Sequence, residues 1–315
     1  MTPTQEFLRA HYKEHYAAKH PKLSETGEAA MINSFVPSHC PYCASKAFGK
    51  RGLTANGIQR YRCSCGQSFV PTTCTIFDGR KIAVSEWMEY CLNIFRYVNI
   101  NADSWNNKNA FSTSQYWLKK LFLTLEDYQK NIVLSGTVWL DETYYPVISS
   151  HIDRKEDGTK YRGLSHNQIC IGAATDKRNT ICFVEGVGKP SQKKSLETFS
   201  NHIAPGSTLI HDKETAHKQL VSALNLVSQA YAADDLKGLK DRDNPLDPVN
   251  NVHDFLKKFL NAHSGFNRDS LQDYLNLFTF VRNPPYEMLE KVERIVYIVF
   301  QNPKPLRYRE QFGLK

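Results

Sequence analysis

The segment that most constrains the fold is Val138–Tyr145, which reads VWLDETYY. Apolar and β-favouring residues surround an acid there, and the alternation of a strand puts Asp141 on the same face as Trp139 and Thr143. A carboxylate in the middle of a strand costs desolvation free energy unless a partner compensates it, and a divalent metal ion is one such partner. The competing interpretation is that Asp141 sits on the exposed edge of a half-buried strand.

Two further polar residues fit a metal site. Asp212 ends the predicted strand that contains Ser207–His211, and Asn250 lies at the start of a predicted helix. Two strand-end aspartates with a polar helix residue suit two-metal phosphoryl transfer, in which ions about 3.5–4 Å apart activate the attacking oxygen and stabilise the leaving one. Oxygen ligands suit Mg²⁺. We therefore predict that Asp141, Asp212 and Asn250 bind Mg²⁺.

The helix that carries Asn250 is predicted to run from Pro248 to about His263, with Asp247 as its N-cap. At helical spacing its buried stripe comprises Val249, Val252, Leu256, Phe259 and Leu260. Asn250, His253 and Lys257 follow one border of that stripe. His253 could ligate the metal or orient a water or phosphate, and Lys257 would hold a phosphate. The alternative is a helix flank that is merely polar.

Cysteine pairs separated by about twenty residues indicate a second metal site. Cys40 and Cys43 have ideal spacing for a zinc knuckle, whereas Cys63 and Cys65 are one residue closer than usual. Cys74 or His39 could therefore replace Cys65 as the fourth ligand. The basic segments between the pairs contain the residues that we expect to contact DNA, namely Lys50, Arg51, Arg60 and Arg62. Cys91, Cys170 and Cys182 fall in apolar patterns and are expected in the core.

A helical region follows the cysteines. An amphipathic helix is predicted from Ser85 to about Val98 and a shorter one near 102–107, followed by a polar turn at Asn109–Ser114 and a basic helix at Gln115–Phe122. A helix-turn-helix fits this pattern, as does an ordinary helical hairpin. The net charge of +8 and the cysteine module favour DNA binding, with Lys119 and Lys120 as the contacts. No apolar run reaches the length of about 18 residues needed to span a membrane.

The remaining strand and helix signals predict an α/β domain. Strands are expected at 137–147, 168–174, 180–187, 208–211 and 227–231, and helices at 191–202 and 214–224 lie between the later strands. Apolar helices at 274–280 and 288–300 precede a basic tail. Three consecutive strands, followed by alternating helices and strands, indicate a mixed sheet with helices on its faces.

Taken in order, these motifs resemble the insertion-sequence DDE transposases of the ISXO type. The residues that carry the resemblance are CPYC, RYRC, CGQSF, TIFDGRK, VWLDETYY, LIHDKETA, VNNVHDFLKK and LQDYLNLFTF, which span about residues 38–282. The chain is similar to the branch that has asparagine and lysine after the two aspartates. The resemblance implies Asp141, Asp212 and Asn250 as ligands of Mg²⁺ or Mn²⁺, Lys257 as a contact to the transposon end, and His253 as an accessory residue. Asp243 or Asp247 could replace Asn250 as third ligand.

The implied fold is an RNase H-like, retroviral-integrase-type mixed sheet with helices on both faces, preceded by a zinc ribbon and a helix-turn-helix domain. We expect a helical lead-in at 1–36, the ribbon at 37–80, the helix-turn-helix at 81–130, the catalytic domain at 136–282 and a C-terminal helix with a basic tail at 283–315. The implied partners are terminal inverted repeats and target DNA, bound by a homo-oligomer, expected as a dimer on paired ends, in the bacterial cytoplasm at the nucleoid.

The implied chemistry is nicking that frees a 3′-OH, which then attacks target DNA. Two other functions fit the same motifs. One is a DNA-binding regulator that has kept the ribbon and the helix-turn-helix but lost catalysis. The other is an RNase H-like nuclease that acts on other nucleic acid.

Overall fold

The computed structural model describes residues 2–6, 27–107, 109–148, 150, 152–161, 167–213, 215–263, 265–311 and 313. These residues form two compact units. The ribbon unit comprises residues 1–96, 100–120 and 292–315, and the sheet unit comprises 97–99 and 121–291. The lead-in predicted around Phe7, Leu8, His11, Tyr12 and Tyr16 lies outside the described residues. The five-domain division stays a prediction.

Both units contain helices and strands. The helices, numbered in chain order, are α1 Glu28–Ser34, α2 Val84–Phe95, α3 Ile100–Asn107, α4 Phe111–Leu125, α5 Gln192–Phe199, α6 Lys218–Ala223, α7 Ala233–Leu236, α8 Asp247–Ala262, α9 Leu271–Arg282, α10 Met288–Gln301 and α11 Tyr308–Gln311. The strands are β1 Phe48–Leu53, β2 Gln59–Cys63, β3 Ser68–Phe69, β4 Thr137–Pro146, β5 Gln168–Thr175, β6 Thr180–Val187, β7 Thr208–Asp212 and β8 Val227–Tyr231. Within the described residues, no helix is both long enough and apolar enough to cross a membrane.

A three-stranded antiparallel sheet, in the order β1-β2-β3, opens the ribbon unit. Tyr61 pairs directly with Phe69, and Phe48 pairs with Cys63, which is on the same face of β2 as Tyr61. The rings of Phe48, Tyr61 and Phe69 therefore pack together, with centroids 5.3–5.6 Å apart. Cys40 and Cys63 join this small cluster. The opposite face is polar and carries Arg62. One face of the sheet is therefore a minimal core and the other meets solvent.

The helices of the ribbon unit are held together by a buried acid. Asp103 is fully buried on α3 and accepts hydrogen bonds from Asn93 Nδ2 at 2.9 Å and from Ser114 Oγ at 3.0 Å. The turn predicted at 109–114 is shorter than expected because α4 begins at Phe111. Its first turn is already closed by hydrogen bonds from Thr113 and Ser114 to the Ala110 carbonyl.

Residues near the C-terminal end pack against earlier parts of the ribbon unit. The ring of Phe300 stacks on Phe35 with centroids 4.1 Å apart, and it lies 6.1 Å from the ring of Phe77. The hydroxyl of Tyr116 donates a hydrogen bond to the Leu306 carbonyl. Segments from both ends of the chain thus belong to the same unit.

The sheet unit is built on a five-stranded sheet in the order β6-β5-β4-β7-β8. β4, β5 and β6 form an antiparallel meander, whereas β7 pairs parallel to β4 and β8 pairs parallel to β7. α5 and α6 connect the later strands. This order and these directions define the RNase H-like fold, so the fold expected from the resemblance is confirmed.

Both faces of the sheet are covered, as alternation along β4 predicted. Val138 and Leu140 are fully buried in a cluster with Phe199 of α5 and Leu220 of α6. On the other face, Trp139 Nε1 donates to the Pro245 carbonyl just before α8. The predicted stripe of α8 is buried throughout. Asp247, predicted as the N-cap, is instead the first helical residue, because the chain turns into the helix at Leu246 and no side chain caps it.

Candidate active site and metal centres

The sheet places the two predicted aspartates side by side. Leu140 on β4 pairs with His211 on β7, and the strands are parallel, so the residues that follow, Asp141 and Asp212, meet at the same end. Asp212 is the last residue of β7, whereas Asp141 lies in the middle of β4, where its parallel pairing with β7 stops and its antiparallel pairing with β5 continues. The side chain of Asp141 is 21% exposed and that of Asp212 is 38% exposed. Both carboxylates are therefore accessible although they lie on central strands.

Three carboxylates converge at this end of the sheet. One oxygen from each of Asp141, Glu142 and Asp212 lies within 4.8 Å of the others. Burial, and next the neighbouring charge of Asp212, raise the pKa of Asp141 to about 7. Like charges this close repel unless a cation or a proton neutralises them. An all-oxygen donor set with this repulsion fits a hard divalent cation such as Mg²⁺ or Mn²⁺.

Helix α8 brings His253 beside Asp141, and it also carries Asn250 and Lys257. His253 is buried, and its Nδ1 lies 3.8 Å from Asp141 Oδ2, which is beyond hydrogen-bond distance. Burial, followed by the charge of Lys257, lowers the pKa of His253 to about 4, so the imidazole is neutral at neutral pH. Asn250 is half-buried one turn before His253, and Lys257 is exposed one turn after it. The ligand role of Asn250 stays a prediction.

The two alternative third ligands differ from Asn250 in their surroundings. Asp243 is exposed and forms an ion pair with Arg242 at 3.7 Å. Asp247 occupies the first position of α8, nearly two turns before His253. Because His253 contacts Asp141, the side of α8 that carries His253 is turned toward this aspartate. Asn250 lies one turn earlier on that side of the helix. The helix geometry therefore favours Asn250 over the two acids.

Behind the aspartates lies a buried chain of hydrogen bonds that the sequence patterns did not indicate. His217, which is fully buried, joins Glu142 through Nε2 at 2.9 Å and His211 through Nδ1 at 3.1 Å. His211 Nε2 in turn lies 2.9 Å from Ser228 Oγ. Burial opposes the charge on His217, but the hydrogen bond and the charge of Glu142 outweigh it and raise the pKa of His217. Burial and the charge of His217 lower the pKa of His211 to about 4.

A further acid, Glu185, is buried beside this chain. It lies over Gly172, where an added Cβ would come within 2.7 Å of Glu185 Oε1 and 2.8 Å of the Phe199 ring. Among the described residues, Oε1 has no hydrogen-bond partner. Burial, and then the charge of Glu142, raise the pKa of Glu185 to about 7. The fold therefore favours the neutral form of this carboxyl group.

Glu185→Gln is expected to stabilise the protein only at high pH. Because the pKa is raised from 4.5 to about 7 in the folded chain, folding favours the protonated form, and stability falls as pH rises through this interval. The amide stays neutral, so the variant should gain roughly 1–3 kcal/mol of unfolding free energy above pH 7 and little below pH 4.5. Denaturant unfolding at both pH values measures the difference.

The matched control is Glu197→Gln on α5. Glu197 is 62% exposed and pairs with Lys193 across one helical turn, so its removal should change stability little at either pH. An equal gain in stability for Glu185→Gln at both pH values, or a loss at high pH, would contradict the raised pKa of Glu185.

In the ribbon unit, the structure gathers the four predicted cysteines. Sulfur atoms of Cys40, Cys43, Cys63 and Cys65 all lie within 4.8 Å of one another. The Cys40–Cys65 and Cys43–Cys63 pairs are 3.9 and 3.6 Å apart, close to the roughly 3.8 Å expected in a tetrahedron with Zn–S bonds of about 2.3 Å. The backbone N–H of Cys65 donates to Cys63 Sγ and lowers the pKa of that thiol to about 6, which favours the thiolate that zinc requires.

The shortened second cysteine pair still brings both of its sulfur atoms into the cluster with Cys40 and Cys43. Cys74 lies outside the sulfur cluster, and its backbone N–H donates to the Asp78 carboxylate. The Nδ1 atom of His39 contacts Ser38 Oγ at 2.8 Å. Neither Cys74 nor His39 belongs to the cluster of four sulfur atoms, and a donor set of four thiolates fits zinc.

The predicted DNA contacts differ in their exposure. Lys50, Arg51, Arg60 and Arg62 are all exposed. Arg60 and Arg62 alternate with buried Tyr61, so they share the solvent face of the ribbon sheet, where Arg62 donates to Ser68 Oγ at 3.1 Å. Lys119 on α4 is half-buried.

The expectation for Lys120 was wrong. This residue is only 6% exposed, and its Nζ lies over the Tyr116 ring, 4.4 Å from the centroid. Burial lowers its pKa to about 8. A basic helix pattern cannot distinguish an outward lysine from one on the buried side, which is why the sequence alone misplaced it.

Sequence reasoning also missed Glu142 and His217. Glu142 follows Asp141 directly, and a second acid in the same apolar strand was the signal that could have drawn attention to it. His217 gave no comparable signal, since its partnership with Glu142 depends on the parallel pairing of β4 and β7. Cys91, Cys170 and Cys182 are buried, as predicted.

The parallel pairing of β4 and β7 in this RNase H-like sheet thus ends beside two neighbouring aspartates, Asp141 and Asp212. Residues 133–283 match the family model described as the ISXO2-like transposase domain. This segment is therefore similar to the ISXO2-like transposases, and the resemblance seen in its motifs is confirmed. No curated protein matches the sequence.

Solved structures that the chain matches include a transposase catalytic domain, a transposase paired end complex and a viral intasome. The catalytic domain of Mos1 mariner transposase has 13% identity and a TM-score of 0.32, covering 60% of this chain and 95% of that one. The Mos1 paired end complex with Mn has 12% identity and a TM-score of 0.30, with 69% and 78% covered. The simian T-cell lymphotropic virus intasome in complex with PP2A regulatory subunit B56 gamma has 11% identity and a TM-score of 0.31, with 62% and 68% covered.

Proposed function

We propose that this protein is a DNA transposase that binds the terminal inverted repeats of its element, nicks them to free 3′-OH ends and joins those ends to target DNA. The observation that carries the proposal is the adjacency of Asp141 and Asp212 within a domain of the ISXO2-like transposase family. A family match alone would also fit an inactive descendant. Retention of both acids in one cluster favours an active enzyme.

The sheet unit would supply the chemistry. Asp141 and Asp212, with Asn250 as the proposed third ligand, would hold Mg²⁺ or Mn²⁺, which stabilises charge on the attacking and leaving oxygens when bound. His253 is neutral, so it would fill space beside Asp141 or donate a hydrogen bond rather than act as a cation. Lys257 is exposed on the same helix and would hold a DNA phosphate as a point charge.

The ribbon unit would supply DNA binding. Four thiolates would hold structural Zn²⁺ and so fix the sheet whose outer face carries Arg60 and Arg62, with Lys50 and Arg51 on the adjoining strand. Arginine and lysine contacts to phosphate release counterions and make binding depend on salt. Lys119 on α4 would add a contact from the proposed helix-turn-helix. We also propose a homo-oligomer, a dimer on paired ends, acting on chromosomal DNA in the cytoplasm.

Strand transfer with the DNA that flanks the gene tests the proposal. We expect the purified chain to join these ends to a target plasmid with Mg²⁺ or Mn²⁺ and to be inactive with a chelator, because the carboxylates need a cation. DNA of the same length with scrambled ends is the control. DNA binding without any cleavage would instead support a regulator, and cleavage without preference for the flanking ends would support a nuclease.

A further inference from the structure

A second cluster of ligand atoms shares Asp212 with the acidic cluster but contains two nitrogens in place of the other two carboxylates. Atoms of His211, Asp212 and His217 all lie within 4.8 Å of one another. The two Nδ1 atoms are 3.1 Å apart, and Asp212 Oδ1 is 4.0 Å from His217 Nδ1. Two nitrogens at this separation can both lie about 2.1 Å from one ion, at neighbouring positions of its coordination shell.

The Nε2 atoms of both histidine rings already have hydrogen-bonding partners. His217 Nε2 contacts the Glu142 carboxylate at 2.9 Å, and His211 Nε2 contacts Ser228 Oγ at 2.9 Å. A metal-ligating histidine almost always donates its second N–H to such a partner, which fixes the tautomer and turns the remaining lone pair toward the ion. Both Nδ1 atoms face each other here, with the ring planes 87° apart.

We propose that His211, Asp212 and His217 form a binding site for a divalent transition-metal ion, with Glu142 and Ser228 as its outer partners. Two imidazole nitrogens and one carboxylate favour ions such as Zn²⁺ or Co²⁺ over Mg²⁺, which prefers oxygen ligands. The histidines are 5% and 0% exposed, whereas the Asp212 side chain is 38% exposed, so the ion would enter beside Asp212.

The proposed site is distinct from the acidic cluster, but the two share Asp212. An ion bound to the histidines would therefore compete for this carboxylate with an ion held by Asp141, a consequence that rests on the proposed function. The opposing interpretation is a hydrogen-bonded histidine pair with one proton between the two Nδ1 atoms. The two interpretations make different predictions for metal binding.

Cobalt binding by the full chain distinguishes them. The protein is prepared with its ribbon zinc retained, and Co²⁺ is titrated in excess Mg²⁺ without DNA. We expect one Co²⁺ per chain beyond the zinc, and X-ray absorption of the bound cobalt should show imidazole and oxygen ligands without sulfur. His217→Gln should weaken this binding by about 100-fold or more, and Ser228→Ala, at an exposed position, by roughly tenfold.

His202→Gln is the matched control, because His202 is a half-buried histidine of the same unit whose Nδ1 contacts the Ile132 carbonyl instead. It should bind Co²⁺ like the wild type. Absence of a second ion in the wild type, sulfur ligands on the cobalt, or unchanged affinity in both His217→Gln and Ser228→Ala would each overturn the proposal. If His217→Gln fails to fold, the wild-type stoichiometry and Ser228→Ala still decide. None of these results depends on whether the chain cleaves DNA.

Discussion

Asp141→Asn is expected to abolish DNA cleavage and strand transfer while leaving folding and DNA binding nearly intact. Asp141 is one of two adjacent carboxylates at the proposed catalytic cation site, and the amide that replaces it carries no charge. Loss of several kcal/mol of transition-state stabilisation corresponds to a rate reduction of roughly 10³-fold or more. Cleavage of labelled transposon ends in Mg²⁺ measures this loss, and a gel-shift titration with the same DNA measures binding.

Folding should survive this substitution because the native carboxylate is itself unfavourable. Burial and the nearby charge of Asp212 raise the pKa of Asp141 to about 7, so a neutral side chain of the same shape relieves repulsion. Asp234→Asn is the matched control, since Asp234 is an exposed acid of the same unit, and it should cleave normally. Cleavage by Asp141→Asn at the wild-type rate would disprove the site assignment.

Cys63→Ser should remove zinc and with it specific DNA binding. The proposed tetrahedron loses the thiolate whose pKa is lowered to about 6, and an incomplete ligand set no longer holds the ion against water. Zinc supplies about 10–16 kcal/mol of apparent binding free energy to small metal-dependent folds, far more than the few aromatic contacts of this sheet. Affinity for the transposon ends should then fall to the non-specific level, by roughly 10³-fold.

Zinc content by elemental analysis and gel-shift affinity together measure the effect. Cys74→Ser is the matched control, because Cys74 is a nearby cysteine outside the sulfur cluster. It should keep one zinc and wild-type affinity. If Cys74→Ser loses zinc and Cys63→Ser retains it, the ligand set must be revised. Retention of specific binding by zinc-free Cys63→Ser would show that the ribbon is not the DNA-binding element.

The alternating pattern of strands and the spacing of apolar residues in helices were sufficient to locate most strands and helices of the sheet unit. β6 and β8 have the predicted bounds, and the buried stripe of α8 matches the prediction residue by residue. Local alternation also assigned Asp141 and Trp139 to one face of β4. Such features depend on neighbours in the sequence, so they can be derived without knowing which strands pair.

Features that depend on strand pairing or on helix orientation could not be derived in this way. The contact between Glu142 and His217 joins residues 75 positions apart. It exists because β4 and β7 are parallel and in register. Likewise, the burial of Lys120 reflects which side of α4 faces Tyr116 and the rest of its unit. Even the cap of α8 was misassigned, since the turn at Leu246 replaces the side-chain cap that Asp247 suggested.

The return of residues 292–315 to the ribbon unit has a consequence for synthesis of the chain. Phe35 and Tyr116 meet their partners Phe300 and Leu306 only after the whole sheet unit has left the ribosome. A nascent or truncated polypeptide that stops near Lys291 would thus contain every proposed catalytic residue but leave Phe35 and Tyr116 without these contacts. The sheet unit should consequently mature first, and the ribbon unit should be the last to acquire protection from proteases.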